Sequence, residues 1–382
     1  MNLRQKIEQE IRERGPIPFS RYMELCLYDP EFGYYSRDPE KFGKAGDFYT
    51  SSDVHAVFGR LLARQFDEMW RALGSPETIE LLEFGPGRGL FAQDVQDWSE
   101  KQFPDFFRAL HYTLAESSPS LRNRLLSTFS GRIEAGKVAV ADANSTGPGA
   151  SWAGTPSGEV PLIVFANEFF DALPVAVMSE KGSLRIDAKD GRFVEQWEQP
   201  SAEEFAFLDH HSVHPERSGR TEACLVAERW MAQIAASIPR GFLIAIDYGY
   251  TRAEQLAGRH LGTVMTYRQH SASPNPYEAP GEQDITAHVN FTALTSAAEQ
   301  NGMQVHKLLT QSQFLMGIGE ANQFADAFEG CGSRQEWAKA ALQLKHLVTP
   351  AGMGETFHVL VASKGVEPKS METLSGLSFG KS

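Results

Sequence analysis

The sequence predicts an α/β protein with a doubly wound, mostly parallel, seven-stranded Rossmann-like sheet, an N-terminal helical extension and insertions. Three observations support this fold class. From residue 78 onward, strand-like apolar runs alternate with helix-like runs, the pattern of a parallel sheet covered by helices. One run, PLIVFAN at 161–167, is almost entirely apolar, as expected of a strand buried on both faces. A glycine-rich turn, FGPGRG at 84–89, follows the first strand-like run.

The segment before the sheet, residues 1–75, is predicted to be a helical extension or lid with a loop in its middle. MNLRQKIEQEIRERG is typical of an amphipathic helix that ends near Gly15, because glycine is common just beyond the last helical residue. A loop is expected over 46–52, with a serine or aspartate at 51–53 capping the next helix.

The elements of the α/β domain follow in order, and the domain is expected to span residues 76–365. The predicted strands are 78–84, 111–116, 137–142, 161–167, 241–249, VHKLLTQ at 305–311 and 355–364. The predicted helices begin near Leu90 and cover 118–129, a segment that stops at Gly302, and a stretch near 320–346. Residues 366–382 are expected to form a flexible tail because they are polar.

Two insertions interrupt the alternation. Residues 174–198 contain Asp190-Gly191 between alternating runs, which signals a β-hairpin. The hairpin at 184–197 is a candidate surface for a homodimer or another partner. Residues 250–290 are polar and rich in proline and glycine, so they are predicted to be loop-like.

Composition excludes several function classes. The net charge of the 382 residues is −13, which disfavours binding to nucleic acid phosphates and suits a basic protein partner. The three cysteines are far apart and form no C-x-x-C, so no disulfide framework or metal centre is expected and a reducing, cytoplasmic setting fits best. No apolar run approaches the roughly 18 residues of a membrane span. The acidic N-terminal segment does not resemble a signal or transit peptide.

The glycine turn has a spacing that excludes phosphate-binding motifs. Its glycines are Gly85, Gly87 and Gly89, whereas the dinucleotide fingerprint requires its third glycine at the position of Leu90. No Gly-Lys-Ser/Thr is present. With Glu83 two residues before the first glycine, the motif resembles the first motif of class I S-adenosylmethionine (SAM) methyltransferases. SAM carries a sulfonium, an ammonium group and a ribose diol, and carboxylates suit all three.

Further polar residues end the neighbouring strands. Glu116, followed by Ser117, ends the second strand and is expected to bind the ribose diol; Asp142 ends the third, the usual adenine position of that superfamily. Asn167 and Glu168 end the fourth. Because ligands of open α/β sheets bind at the carboxyl ends of the strands, these residues predict one cofactor site. The alternative for the acids is helix capping.

FANEFFDALPV at 165–175 is the candidate catalytic segment. Asn167 and Phe170 match the Asn-Pro-Pro-Tyr/Phe of amino-group methyltransferases, but both prolines are absent. Glu168 and Asp171 are predicted to share one face of a first helical turn. Two such carboxylates can bind a guanidinium by charge-assisted hydrogen bonds. They can equally complement a helix N-terminus.

Six segments in order resemble the MidA-like methyltransferase family, whose mitochondrial members assist respiratory complex I assembly. They are PIPFSRYMELCLYDPEFGYYS, GDFYTSS, LLEFGPGRG, NEFFDALPV, IDYGY and DITAHVNF. The resemblance covers roughly residues 15–362 and implies a class I methyltransferase sheet with an N-terminal helical extension, and a protein-arginine acceptor. It assigns Gly46, Asp47, Phe48 and Thr50 to a loop over the cofactor. It places Asp284, Thr286, His288 and Asn290 in one element, where the family often has aspartate at the position of Asn290.

The function predicted from these features is SAM-dependent methylation of a partner protein, on arginine. The alternatives are a small-molecule or other amino-group methyltransferase, and a SAM-binding assembly chaperone without turnover. The residues predicted to be catalytic are Glu168, Asp171 and His288. His288 is a candidate general base, and the alternative is a structural, hydrogen-bonded histidine. The residues predicted to bind the cofactor are Gly46, Asp47, Thr50, Glu83, Gly85, Pro86, Gly87, Gly89, Glu116, Ser117, Asp142 and Asn167.

Overall fold

The computed structural model describes residues 2–36, 56–143, 160–216, 219–268 and 271–379. They fall into two compact units. The first comprises the described parts of Met1–Phe48, Phe169–Ala232 and Tyr248–Ala297. The second comprises those of Tyr49–Glu168, Gln233–Asp247 and Ala298–Ser382.

The helices and strands of the described ranges are numbered in chain order. The helices are α1 (Leu3–Arg14), α2 (Phe19–Tyr28), α3 (Ala56–Ala72), α4 (Leu90–Gln102), α5 (Pro104–Ala109), α6 (Pro119–Thr128), α7 (Ser130–Glu134), α8 (Ala202–His211), α9 (Leu225–Ser237), α10 (Arg252–Leu256), α11 (Phe291–Gln300), α12 (Gln311–Glu320), α13 (Ala325–Phe328), α14 (Arg334–Val348) and α15 (Pro368–Met371). The strands are β1 (Ile17–Pro18), β2 (Ile79–Phe84), β3 (Leu110–Glu116), β4 (Val138–Asp142), β5 (Leu162–Asn167), β6 (Ala176–Ser179), β7 (Gly182–Lys189), β8 (Arg192–Glu198), β9 (Thr221–Ala223), β10 (Gly241–Tyr250), β11 (Met265–Arg268), β12 (Ser271–Ser273), β13 (Asp284–Thr286), β14 (Val289–Asn290), β15 (Gln304–Val305), β16 (Leu309–Thr310) and β17 (Phe357–Lys364).

The second unit contains the predicted central sheet. Its strand order is β15-β17-β10-β5-β2-β3-β4, with β16 beside β17. The five strands from β10 to β4 are parallel to one another, and β15 and β16 run antiparallel to β17. The order reverses between β2 and β5, which is the switch point where ligands of such sheets bind. The predicted fold class is therefore confirmed.

Apolar side chains and one glycine bring helices α3 and α4 together in this unit. The rings of Phe91 and Phe165 stack with centroids 4.5 Å apart, and Phe66 meets Phe165 edge-on at 5.7 Å. At Gly59, an added Cβ would lie 2.5 Å from Asp94 Cβ. The absence of a side chain there lets the two helices approach closely, which fixes the helix that follows the glycine turn.

The first unit holds two antiparallel sheets. One has the order β1-β7-β6-β9 with β8 beside β7, and the other is β12-β11-β13. The predicted hairpin is confirmed: β7 and β8 pair across Asp190 (φ 50°) and Gly191 (φ 71°), the left-handed pair of a tight hairpin turn. The prediction that 250–290 is loop-like is wrong, because this stretch contains α10 and β11 to β14. Those strands have only two to four residues, too few for an alternating pattern to show.

The chain termini refine two expectations. Helix α1 ends at Arg14, directly before Gly15 (φ 82°), as predicted, and Asn2 with Gln5 forms a capping box at its start. Of the predicted extension, the described residues 2–36 lie in the first unit and 56–75 in the second, so a boundary near residue 75 stays a prediction. Residues 366–379 are ordered rather than frayed: Ser375 N and Oγ both donate to Glu68 Oε2 at 2.8 Å.

Within the described ranges, no helix is both long enough and apolar enough to cross a membrane.

Candidate functional site

The predicted glycine loop joins β2 to α4 in the second unit. All three glycines are left-handed, with φ of 64°, 54° and 77° at Gly85, Gly87 and Gly89. Gly85 N donates to Ala115 O at 3.0 Å, which fastens the loop to β3. At Gly89 an added Cβ would lie 2.6 Å from a methyl group of Leu125. At Gly87 nothing lies within 4 Å of that position, so the loop is tightly packed at its helix end and open at its centre.

Glu116, the last residue of β3, holds the centre of this loop. Its Oε2 accepts from Gly87 N at 3.3 Å and its Oε1 accepts from Ser118 N at 2.8 Å. Burial raises the pKa of Glu116 to about 7, although these amides and the charge of Arg122 oppose the rise. The structure therefore brings together two of the predicted cofactor residues, Gly87 and Glu116.

The Gly87–Glu116 contact also argues against a phosphate ligand. A phosphate-binding loop directs its amides to the anion. Here the Gly87 amide already donates to a carboxylate, whose charge repels a second anion. A ligand with cationic groups and hydroxyls suits this environment better.

Glu83 is buried in β2, beneath the loop. Its Oε2 accepts a hydrogen bond from the Tyr112 hydroxyl at 2.8 Å, and the residue is 4% exposed. Burial raises the pKa of Glu83 to about 8, against the Tyr112 hydrogen bond and with a further rise from the charge of Glu116. The predicted motif acid is thus linked to Tyr112 and electrostatically coupled to Glu116.

Asp142, at the end of β4, forms an ion pair that the sequence does not reveal. Arg122 Nη2 lies 3.1 Å from Asp142 Oδ2, and Arg122 Nη1 donates to the carbonyl oxygens of Glu116 and Ser117 at 2.8 and 2.7 Å. At this strand edge, sequence reasoning missed Arg122 and Tyr112. Tyr112 lies two residues before Leu114, the register partner of Glu83, so the register places Tyr112 and Glu83 on the same face of the sheet.

Asn167 ends β5 as predicted and Glu168 comes directly after the strand, but no helix follows them. Glu168 has φ 50°, which is uncommon outside glycine, and its amide donates to Ile246 O at 2.9 Å. Bends and a turn occupy 168–173. The predicted helical turn carrying Glu168 and Asp171 on one face is therefore wrong, because the left-handed residue stops helix formation at its start.

Asn167 supplies a test of whether the predicted cofactor fits. Its Nδ2 donates to Glu168 Oε1 at 3.2 Å. Its Oδ1 is buried and has no hydrogen-bond partner among the described residues. A buried acceptor of this kind needs a donor, and the SAM ammonium group or a ribose hydroxyl is one. The carboxylates of Glu116 and Asp142 on the same strand edge suit the remaining donors of that molecule.

The first unit holds a second cluster of predicted residues around Asp171. Asp171 is 6% exposed and accepts a hydrogen bond from the Tyr248 hydroxyl. Its carbonyl oxygen accepts from Ala287 N at 3.0 Å, which ties it to the DITAHVNF element. Burial raises the pKa of Asp171 to about 6, opposed by the Tyr248 hydroxyl and the Ala172 amide. Asp171 is thus a buried carboxyl that ionises below neutral pH.

A tyrosine hydroxyl also contacts a second carboxylate in the same unit. Tyr35 OH donates to Asp284 Oδ1 at 2.9 Å, and Asp284 is 2% exposed. The rings of Tyr28 and Tyr35 lie 5.5 Å apart. Burial raises the pKa of Tyr267, as do the charges of both Asp171 and Asp284. The Tyr267 hydroxyl is therefore within electrostatic range of both carboxylates. We call Tyr28, Tyr35, Asp171, Tyr248, Tyr267 and Asp284 the acid–tyrosine cluster.

His288 lies beside this cluster through Tyr248, with ring centroids 5.4 Å apart. Its Nδ1 is 3.1 Å from Nδ1 of His260, so one ring donates and the other accepts. Thr286 is buried in β13. Asn290 has a structural contact instead of a carboxylate role: its Oδ1 accepts from Ala293 N at 3.0 Å and caps α11.

The remaining predictions divide as follows. Gly46, Asp47, Phe48 and Thr50, assigned to the cofactor loop, lie outside the described residues. Pro86 accepts a hydrogen bond from Gly89 N at 2.8 Å through its carbonyl. In the part of the chain that the structure describes, no group of three or more His, Cys, Asp or Glu side chains is arranged to hold a metal ion.

Relatives of this chain carry the names of methyltransferases. A family model described as "Putative S-adenosyl-L-methionine-dependent methyltransferase" matches residues 61–309. "Protein arginine methyltransferase NDUFAF7 homolog, mitochondrial" from Drosophila melanogaster is 30% identical over 399 residues, covering 96% of this chain and 85% of the fly protein. The Danio rerio "Protein arginine methyltransferase NDUFAF7, mitochondrial" is 28% identical, covering 92% of this chain and 84% of its own.

A solved structure from Burkholderia thailandensis has a similar fold along almost the whole chain. That crystal structure contains bound S-adenosyl-homocysteine, and it superposes with a TM-score of 0.80 at 29% identity, covering 96% of this chain and 92% of the other. A second Burkholderia thailandensis crystal structure, a native form, superposes with a TM-score of 0.79 at 28% identity. The similarity therefore extends over both compact units.

Proposed function

The chain belongs to this family of S-adenosyl-L-methionine-dependent methyltransferases, and on that premise we propose that it methylates arginine side chains of a partner protein. Two near-full-length relatives carry the name protein arginine methyltransferase. The observation in this chain that favours the same acceptor is the acid–tyrosine cluster, in which Asp171 and Asp284 are both buried and both accept tyrosine hydroxyls.

The cofactor is proposed to bind at the strand edge of the second unit. SAM supplies a methyl group on a positively charged sulfur. Glu116 and Asp142 are proposed to accept hydrogen bonds from the ribose diol and the adenine amino group, and Asn167 Oδ1 from the ammonium group. Gly87 leaves space for close approach to the backbone. The residues of this edge are proposed to bind and orient the cofactor, because alignment of its methyl group with the acceptor supplies most of the acceleration in a methyl transfer.

The acid–tyrosine cluster suits a guanidinium for three reasons. A guanidinium stays protonated, with a pKa above about 12, so it needs anionic partners when it leaves water. Carboxylates bind its planar N–H groups in pairs. Tyrosine faces attract cations as well. Near neutral pH, the Asp171 carboxyl is mainly ionised because its pKa rises only to about 6.

The proposed roles of the individual residues follow from this chemistry. Carboxylates that hold two guanidinium nitrogens localise the positive charge there, which leaves electron density on the third nitrogen for attack. We assign this role to Asp171 and Asp284, the two carboxylates of the acid–tyrosine cluster; a catalytic role for Glu168 stays a prediction from the sequence. His288 is proposed to take the proton that the acceptor releases. Its Nδ1 contact with His260 fixes the ring orientation, as a general base requires.

The test is mass spectrometry of a cell extract incubated with the purified protein and isotopically labelled SAM. The expected result is labelled methylarginine on one or a few proteins, reduced at least about tenfold by Asp171→Asn. Asp105→Asn serves as the matched control, because the Asp105 side chain is 71% exposed. Labelled lysine or a labelled small molecule would indicate the amino-group alternative. Cofactor binding without any labelled product would indicate an assembly chaperone.

The setting of this activity is also a proposal. The free cysteines, Cys26, Cys224 and Cys331, suit a reducing compartment such as the bacterial cytoplasm, whereas the named relatives are mitochondrial. A partner segment rich in arginine suits the net charge of −13. The hairpin β7–β8 stays a candidate surface for a homodimer.

A further inference from the structure

Arg122 joins the ends of two neighbouring strands at the proposed cofactor edge. It lies on α6, which begins three residues after β3 ends. Its Nη1 donates to the carbonyl oxygens of Glu116 and Ser117, and its Nη2 pairs with Asp142 Oδ2. Glu116 and Asp142 are opposite each other at the last register position of β3 and β4. One guanidinium therefore holds both acids that end these strands.

The contacts of Arg122 require the planar, forked guanidinium group of an arginine. The two hydrogens of Nη1 go to two carbonyl oxygens and Nη2 forms an ion pair with the carboxylate, so two hydrogen bonds and one ion pair arise from two nitrogens of one plane. A lysine ammonium is a single nitrogen and cannot reproduce this fork. The Arg122 side chain is 21% exposed and that of Asp142 38%, so water screens their pairing only in part.

The Arg122 guanidinium acts on Glu116 through the main chain. Holding the carbonyl oxygens of residues 116 and 117 fixes the turn from which Ser118 N donates to the Glu116 carboxylate. The positive charge of Arg122 also opposes the rise in the pKa of Glu116 that burial causes. Arg122 thus keeps one acid placed and helps to keep it ionised, while it orients the other directly.

We propose that Arg122 is a positioning residue that sets the preference of the cofactor site for adenine, by holding the Asp142 carboxylate in one orientation at the end of β4. The inference rests on the assignment of Asp142 to the adenine amino group in the proposed function. A carboxylate accepts from that amino group, whereas the 6-oxo oxygen of hypoxanthine has no hydrogen to donate and repels it. A carboxylate that is held in place rejects the wrong base more strongly than one that can rotate away.

The test is calorimetric titration with two ligands, S-adenosyl-homocysteine and S-inosyl-homocysteine. The ratio of their dissociation constants measures the base preference and does not depend on methyl transfer. For the wild type we expect a ratio of at least about tenfold in favour of adenine. Arg122→Met and Arg122→Lys should both bring the ratio close to one.

Arg124→Met is the matched control on the same helix. Arg124 is exposed, and its side chain has no hydrogen bond or ion pair with the described residues. The ratio of dissociation constants for Arg124→Met should therefore equal that of the wild type. Thermal melting without ligand shows whether each variant is folded. Asp142→Asn is a second variant that tests the same role. It should also lose the preference for adenine, and the double variant with Arg122→Met should have the same ratio of dissociation constants as Asp142→Asn alone.

Three results would overturn the inference: a wild type without base preference, an Arg122→Met protein with an unchanged ratio, or equal weakening of both ligands. The last would mean that Arg122 only supports the turn after β3. The protein could show the expected ratios and yet transfer no methyl group to arginine. That result would support the role of Arg122 and contradict arginine as the methyl acceptor.

Discussion

At the scale of single residues, the proposed cofactor edge is defined by buried carboxyls whose charge state depends on their surroundings. Glu83 and Glu116 are both buried, and the charge of Glu116 raises the pKa of Glu83. Tyr112 is the hydrogen-bond donor that stabilises the ionised form of Glu83. Near pH 7 the Glu83 carboxyl is therefore expected to be mainly protonated, whereas Glu116, with a pKa of about 7, is about half ionised.

This state predicts how stability depends on pH. The pKa of Glu83 is about 8 in the folded protein against an ordinary value of 4.5. Between those values the folded state binds a proton that the unfolded state has lost, so the free energy of unfolding falls as pH rises through this window. Glu83→Gln removes that contribution and should make the decline between pH 5 and pH 8 shallower.

Urea unfolding at several pH values measures this slope. Glu134→Gln is the matched control because Glu134 is exposed, and it should leave the slope unchanged. The same decline in Glu83→Gln as in the wild type would show that Glu83 ionises normally in the folded protein.

At the scale of elements, the loop between β2 and α4 places the cofactor residues, and its glycines are not equivalent. Gly87 and Gly89 both have left-handed φ, but only Gly89 would direct a Cβ into Leu125 and Phe129. We expect Gly87→Ala to cost about 1 kcal/mol of unfolding free energy from backbone strain. Gly89→Ala should cost about 2–4 kcal/mol, because overpacking adds to the strain.

Gly131→Ala is the reference for these two variants. Gly131 lies in α7 with open space at its Cβ position and no left-handed φ, so alanine should be neutral or slightly stabilising there. Urea unfolding of the three variants gives the comparison. Equal costs at Gly87 and Gly89 would contradict the packing at the start of α4.

Sequence patterns could predict the elements whose burial is uniform. The apolar runs of β2 and β5 are buried along their whole length apart from Asn167, so their bounds differ from the prediction by one residue. Strands β11 to β14 were missed because they are too short to show a period. The helical turn after β5 was predicted wrongly because a left-handed Glu168 has no local signature.

The site was predicted in part for a related reason. Residues at strand ends follow from strand bounds, so Glu116, Asp142 and Asn167 could be predicted. Tyr112 and Arg122 depend on which strands are neighbours and on their register, which composition and spacing do not contain. The roles of Tyr112 and Arg122 follow only from their contacts in the structure, with Glu83 and Asp142 respectively.

At the scale of the whole molecule, each compact unit carries one part of the proposed chemistry. The second unit holds the central sheet and the proposed cofactor edge, and the first holds the acid–tyrosine cluster. The similarity to arginine methyltransferases covers 96% of the chain, so both units belong to what the relatives share. The surplus of acids over bases suits a basic polypeptide as the partner.

Calorimetric titration of SAM measures whether the cofactor binds at the strand edge that Glu116 occupies. The wild type and the exposed control Glu134→Gln should bind one equivalent with the same affinity. Glu116→Gln, which keeps the side-chain size but removes the charge, should bind at least about tenfold more weakly. No binding by the folded wild type, or equal affinity in Glu116→Gln, would contradict the account.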